Sequence, residues 1–229
     1  MPDFPTRLLQ LLRTFPLPAA PLPHEVQVRN SYHDPAVTQI FEEFTRRYYV
    51  ATEPRVGIFG INPGRFGGGR TGVAFTDSVA LTDICGITHA LGGSRRRELS
   101  SEFVYKFIAE LGGPVEFYRH FFLSSVYPLE LTRAGTNYNY YDNSAVTKAL
   151  WPDMRRSLTE QTERLGLRRD VAVSLGRRNG EFLQKLSDEL GLFERVISLD
   201  HPRFLMQYRR KALADNVRNY VQTLGELLE

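Results

Sequence analysis

The sequence predicts an α/β fold, a three-layer α/β/α sandwich around a central four-stranded, mainly parallel sheet. Four compact apolar runs, each bounded by Gly, Pro or charge, read as buried parallel strands. Stretches of helical apolar period separate them, the alternation expected of such layers. The third observation is size: 229 residues, 42% hydrophobic and 24% charged, bury a full core within one domain.

Taken in order, "MPDFPTRLLQLLRTF" is a short amphipathic helix, its Asp and prolines breaking the pattern of a signal peptide. The Pro-rich "PLPAAPLPHE" (16–25) then acts as a linker, setting residues 1–25 apart from a single domain over 26–229. Asp34 as cap and Pro35 at the first helical position open the helix of "DPAVTQIFEEFTRRYY". "RVGIFGI" (55–61) is the first strand. "SSEFVYKFIAELGG" is a helix stopped by Gly112, and "HFFLSSV" (120–126) the second strand. "LTRAGTNYNYYDN" (131–143) reads as a long loop rich in Tyr and Asn. A helix is expected from Pro152 to Gly166, then a strand "DVAVSLG" (170–176), the helix of "NGEFLQKLSDELG" and a last strand "RVISL" (195–199). Leu205, Tyr208, Ala212, Asn216, Tyr220 and Leu224 place one face of a C-terminal helix against the core.

Composition excludes several classes. Cys85 is the only cysteine, so there is no disulfide framework, four-cysteine zinc site or cysteine-held iron–sulfur cluster. A reducing, cytoplasmic location is the expectation, and no run has the apolar length of a membrane span. The histidines at 24, 33, 89, 120 and 201 lack metal-ligand spacing, so neither metal nor cofactor is expected. No Gly-x-Ser-x-Gly elbow offers a serine nucleophile. Formal charge is only +3. Two clusters, Arg95–Arg97 and Arg203 with Arg209, Arg210 and Lys211, suit phosphate contact or, equally, a solvated helix face.

In open α/β sheets ligands bind beyond the carboxyl ends of the strands. "NPGRFGGGRTGVAF", "SSVYPLEL" and "DHPR" lie there. The first has more glycine than a turn requires, which suggests a backbone that something approaches closely. It lacks the Gly-Lys-Ser/Thr of a nucleotide P-loop. Taken singly, Asn62 before Pro63 is a turn residue, His201 the end of a strand and Phe75 core.

Jointly these segments resemble the uracil-DNA glycosylase superfamily, in its single-strand-selective monofunctional branch and as a divergent bacterial-type member. That branch carries Gly-Met-Asn-Pro-Gly, a Gly-rich continuation, Thr-Gly-Val-Pro-Phe and a late His-Pro-Ser-Pro-Arg. Residues 60–75 match the first block, including the separation of Asn62 from Phe75, and "DHPR" supplies the late His-Pro. The resemblance implies a uracil-DNA glycosylase-like fold and hydrolysis of the N-glycosidic bond of uracil in DNA, for base excision repair. DNA, single- and double-stranded, is the implied partner of a monomeric enzyme. Asn62 would orient the attacking water and His201 would stabilise the departing base. Ile61, Gly64, Phe75 and Ser125 would form the base pocket. Arg65, Gly67, Gly68, Gly69, Arg70, Arg203 and Phe204 would hold the DNA.

Two departures from the family pattern bear on specificity. Ser125 stands where the branch reads the base edge with Asn, and a rotating hydroxyl discriminates less than an amide, so deaminated purines are expected as further substrates. Gly64 stands where the uracil-specific enzymes carry a Tyr that excludes the thymine methyl, so C5-substituted uracils are expected to enter. "HPRFLMQY" replaces the late motif and leaves Arg203, Phe204 and Met206 as candidates to fill the gap of a flipped base. Rival readings are a mismatch-specific glycosylase, a non-catalytic single-strand binder stacking bases on Tyr138, Tyr140 and Tyr141, and a hydrolase of free nucleosides.

Overall fold

The computed structural model describes residues 2–23, 25–92 and 97–228. In chain order the elements are α1 (Phe4–Thr14), β1 (Val26–Arg29), α2 (Pro35–Tyr48), β2 (Val56–Gly60), the single turn α3 (Gly68–Thr71), α4 (Ser78–Asp83) and α5 (Leu99–Glu110). There follow α6 (Gly113–His120), β3 (Phe121–Ser125), β4 (Glu130–Arg133), β5 (Thr136–Asn137), α7 (Ser144–Leu165), β6 (Val171–Leu175), α8 (Arg177–Leu190), β7 (Arg195–Leu199), α9 (Pro202–Tyr208) and α10 (Leu213–Gly225).

The four expected strands form one all-parallel sheet in the order β3-β2-β6-β7. Every residue of β2, β3 and β6 is buried. Successive strand side chains point to opposite faces, so full burial means that helices cover both. The three-layer expectation holds.

Helix α1 joins the same core. Asp3 accepts the Thr6 N–H at 3.0 Å to start it, and Phe4, Leu8, Leu11 and Leu12 are buried. The Asn30 amide closes its other end, donating to the carbonyls of Leu12 (2.9 Å) and Phe15 (3.3 Å). Helix α5 is centred on Phe103 and Phe107, whose rings lie 4.9 and 5.0 Å from Tyr220 of α10.

Three expectations about elements are corrected. The loop expected over 131–143 contains β5 and most of β4, and β4 pairs antiparallel with both β1 and β5 to make a second, three-stranded sheet. Ala134 and Gly135, both with positive φ (47° and 70°), make its two-residue hairpin turn. Helix α7 starts at Ser144 rather than Pro152, because the Asn143 side chain accepts the N–H groups of Ala145 and Val146. Pro152 then sits inside the helix and removes the donor that Lys148 would bond, at an exposed position where that carbonyl is open to solvent. The C-terminal helix is two, α9 and α10, parted at Arg209 so that each packs on α5 separately; Tyr208 consequently lies on the surface, 67% exposed.

Candidate active site

The β2–β3 ladder continues past the two strands. Val126 donates to Gly60 O at 2.9 Å and Tyr127 to Ile61 O at 3.1 Å, which carries Ile61 and Asn62 beyond the sheet edge beside Ser125. Asn62 is clamped there at both ends of its amide. Its Nδ2 donates to Tyr138 O at 3.0 Å, and its Oδ1 accepts the Tyr140 N–H at 3.3 Å. The remaining lone pair of Oδ1 is available to a water. Tyr140 is held in turn, its hydroxyl donating to Asn179 Oδ1 at 2.7 Å while Asn179 Nδ2 donates to Phe59 O at 2.9 Å. Thus β2 supplies Asn62 and also anchors the residue that fixes it.

The glycine-rich segment folds over this point. Gly69 O accepts from Arg29 Nη2 and Ser31 Oγ, each at 2.6 Å, and Tyr32 donates to Gly72 O at 2.6 Å. Gly67, Gly68 and Gly69 are buried. The chain's own groups require two of them: a Cβ at Gly67 would meet Glu98 Oε2 at 2.0 Å, and one at Gly69 would meet Glu130 Oε2 at 2.8 Å and Gly64 O at 2.9 Å. Beside Gly64, the place of a side chain is faced by Glu98 Oε1 at 3.0 Å and Asn137 Nδ2 at 3.4 Å. Phe75 has φ 52°, a strained value for an aromatic residue, and its ring lies 6.0 Å from that of His201.

His201 follows β7 and caps α9, its Nδ1 accepting the Arg203 N–H at 3.1 Å. Burial, and secondarily the Arg203 charge, push its pKa down to about 4. The imidazole is therefore neutral near pH 7, and with Nδ1 occupied as an acceptor the proton resides on Nε2. Asp200 beside it is held by Arg177 at 2.7 Å and by the Tyr220 hydroxyl on its carbonyl.

Asn62, Gly64, Phe75, Ser125 and His201 line one cleft of about 310 Å³, at the lower end of the range for small-ligand sites, roughly 300–1,000 Å³. Ile61 and Gly68 line it too, and Arg203 and Phe204 stand at its rim on α9. Arg65 lies outside that lining, its guanidinium 4.3 Å from the Phe66 ring and donating to Gly135 O; Arg70 lies within α3, half-buried. Met206 is 2% exposed and drops out as a gap-filling side chain, and Tyr140 is fully buried and cannot stack a base. Arg95 and Arg96 lie outside the described residues; Arg97, Arg209, Arg210 and Lys211 are exposed.

Sequence reasoning missed Glu98 and Tyr208. Tyr208 extends the exposed aromatic rim, its ring 5.5 Å from that of Phe204. The i, i+4 spacing of these two rings on a short helix was a usable signal. Among the described residues no three His, Cys, Asp or Glu side chains stand close enough to hold a metal ion, and no helix is long and apolar enough to cross a membrane.

A parallel four-stranded sheet with Asn and His brought together beyond its carboxyl edge fits a known class. The family model of the uracil DNA glycosylase superfamily matches residues 47–225, and the chain belongs to that superfamily. It is a DNA glycosylase, a hydrolase of N-glycosyl bonds. Its structure is similar to the crystal structure of wild-type SMUG2 from Pedobacter heparinus, at 34% identity and a TM-score of 0.93, with 99% of each chain covered. No curated protein matches.

Proposed function

We propose that this enzyme removes uracil, and deaminated purines beside it, from DNA by monofunctional hydrolysis in base excision repair. The observation that carries the reading is the pairing in one cleft of an amide clamped at both ends, Asn62, with a neutral imidazole whose proton is fixed on Nε2, His201. The base is flipped into the cleft and stacks on Phe75. Water held by Asn62 Oδ1 adds to C1′ as the glycosidic bond breaks. An amide orients this water without deprotonating it, which suffices where the sugar already carries cationic character. His201 Nε2–H donates to the base carbonyl as negative charge gathers there, and such a donor is worth about a hundred- to thousandfold in rate.

Ser125 supports the broader base range. It is buried at the cleft wall, and Gln161 holds its backbone carbonyl at 3.2 Å, while among the described residues its hydroxyl has no hydrogen-bond partner and is free to turn toward a donor or an acceptor. A 5-hydroxymethyl group on uracil would meet the polar groups of Glu98 and Asn137 beside Gly64. No lysine lines the cleft among the described residues, which supports hydrolysis over attack by an amine on the sugar. Arg203, Phe204 and Tyr208 at the rim are the groups we assign to the DNA strand, with Phe204 filling the vacated stack.

A labelled single-stranded oligonucleotide with one uracil, treated with alkali after incubation, tests the reading. Wild type should give alkali-sensitive cleavage, reduced at least a hundredfold in Asn62→Ala. Parallel substrates with hypoxanthine and xanthine test the base range. Binding without cleavage on all three would favour a non-catalytic strand binder instead.

A further inference from the structure

We propose that Glu98 is a proton donor in the cleft, beside the hydrogen-bond donor His201, serving purine substrates by protonating N7 of hypoxanthine or xanthine as the base departs. The inference rests on the glycosylase reading above and adds to it a group that none of the motifs contains.

The geometry comes first. Glu98 precedes α5 at the cap position, but its side chain makes no capping bond. Its backbone N–H is tied instead to Asp77 Oδ2 at 2.6 Å, and its carboxyl reaches into the cleft that Asn62, Phe75 and His201 line. Room for that carboxyl exists only because Gly64 and Gly67 lack side chains, with Oε1 and Oε2 standing 3.0 and 2.0 Å from where their Cβ atoms would be. Among the described residues no donor is hydrogen-bonded to either oxygen.

The charges around it disfavour an anion. Asp77 stands beside it, its carboxylate receiving the N–H groups of Val79, Ala80 and Glu98. Burial first, then Asp77, raise the Glu98 carboxyl to about 7, with Arg203 acting in the opposite sense. Arg65 and Arg97 line the adjoining cleft beside it. The folded protein therefore binds this proton more tightly than the unfolded chain does, and the donor is present below about pH 7 and lost above it.

Such an acid suits a purine. Uracil departs as an anion that one hydrogen bond to a carbonyl can stabilise, whereas a purine offers a ring nitrogen, N7, that can take a full proton. In the step, the Glu98 Oε–H bond breaks as N7–H forms. The C1′–N9 bond then cleaves with its electron pair going to the base, which leaves neutral. Water adds to C1′ and releases its proton to solvent, from which Glu98 is protonated again.

The test is single-turnover excision of uracil and of hypoxanthine from otherwise identical oligonucleotides between pH 5.5 and 8.5, with wild type, Glu98→Gln and Glu98→Ala. The expected wild-type result is a hypoxanthine rate that falls above about pH 7 while the uracil rate does not. In Glu98→Ala the hypoxanthine-to-uracil rate ratio should fall about a hundredfold, within the usual range for a general acid. Glu98→Gln should lose the pH dependence. A purine rate as insensitive to pH as the uracil rate, or equal losses on both bases, would overturn the proposal and leave Glu98 a support of the glycine loop. So would wild type that releases uracil but not hypoxanthine, an outcome that leaves the glycosylase reading standing. Wild type that releases no base removes both. The wild-type profile needs no variant, so a substitution that fails to fold does not block the test.

Discussion

A Cβ on Gly60 would stand 2.5 Å from Phe75 Cζ, and Phe75 itself holds φ at 52°, so two backbone concessions lay this ring across the end of β2. Gly60→Ala should therefore act on the site more than on the fold. The ring must shift, and excision of uracil should fall at least tenfold, while overpacking costs about 1–3 kcal/mol of stability. Single-turnover rates beside thermal melts check this; unchanged rates would mean that Phe75 does not stack the base. That Asn62, Phe75 and His201 share a cleft was legible in the sequence, because one block fixes the separation of the first two and a late His-Pro follows the last strand. Glu98 was not legible, since a lone Glu before a helix reads as a solvated cap until the fold brings Gly64 and Gly67 against it.

Helix α8 and the segment after β5 cooperate to hold Asn62. Tyr140, fully buried, spans from Asn179 on α8 to the Asn62 amide, linking a helix, a strand end and a connection in one hydrogen-bonded run. Tyr140→Phe leaves Asn179 Oδ1 short of a buried donor, which costs about 1–3 kcal/mol. It also frees the ring whose backbone N–H fixes Asn62. The expected outcome is a kcat reduced about tenfold with KM little changed, because the interaction serves the water and not the bound base. Steady-state kinetics on a uracil oligonucleotide separate the two. The parallel strands were readable because each is apolar along its whole length. The small sheet was not: β1 is half-exposed in alternation, β5 is two residues long, and the hairpin turn uses Ala-Gly instead of a strong turn pair. Pro152 misled for a related reason. Proline favours a helix start, but Asn143 had already supplied one.

The N-terminal helix is tied to the body by a packed apolar face and by Asn30, across a linker whose proline content suggests separation. Leu11, fully buried, should cost about 2–5 kcal/mol when cut to Ala, with kcat per folded molecule unchanged. Urea denaturation together with active-site titration would show it; a loss of under 1 kcal/mol would mean that α1 is dispensable to the core. The two sheets meet at Asn62. Tyr138 donates to Leu131 O of β4 at 3.0 Å and accepts from Asn62, which extends β2. The Asn62 amide is thus a rivet between two plates that share one apolar core. Two hydrogen bonds hold that rivet while the whole core holds the plates, so on warming the enzyme should fall silent before it melts.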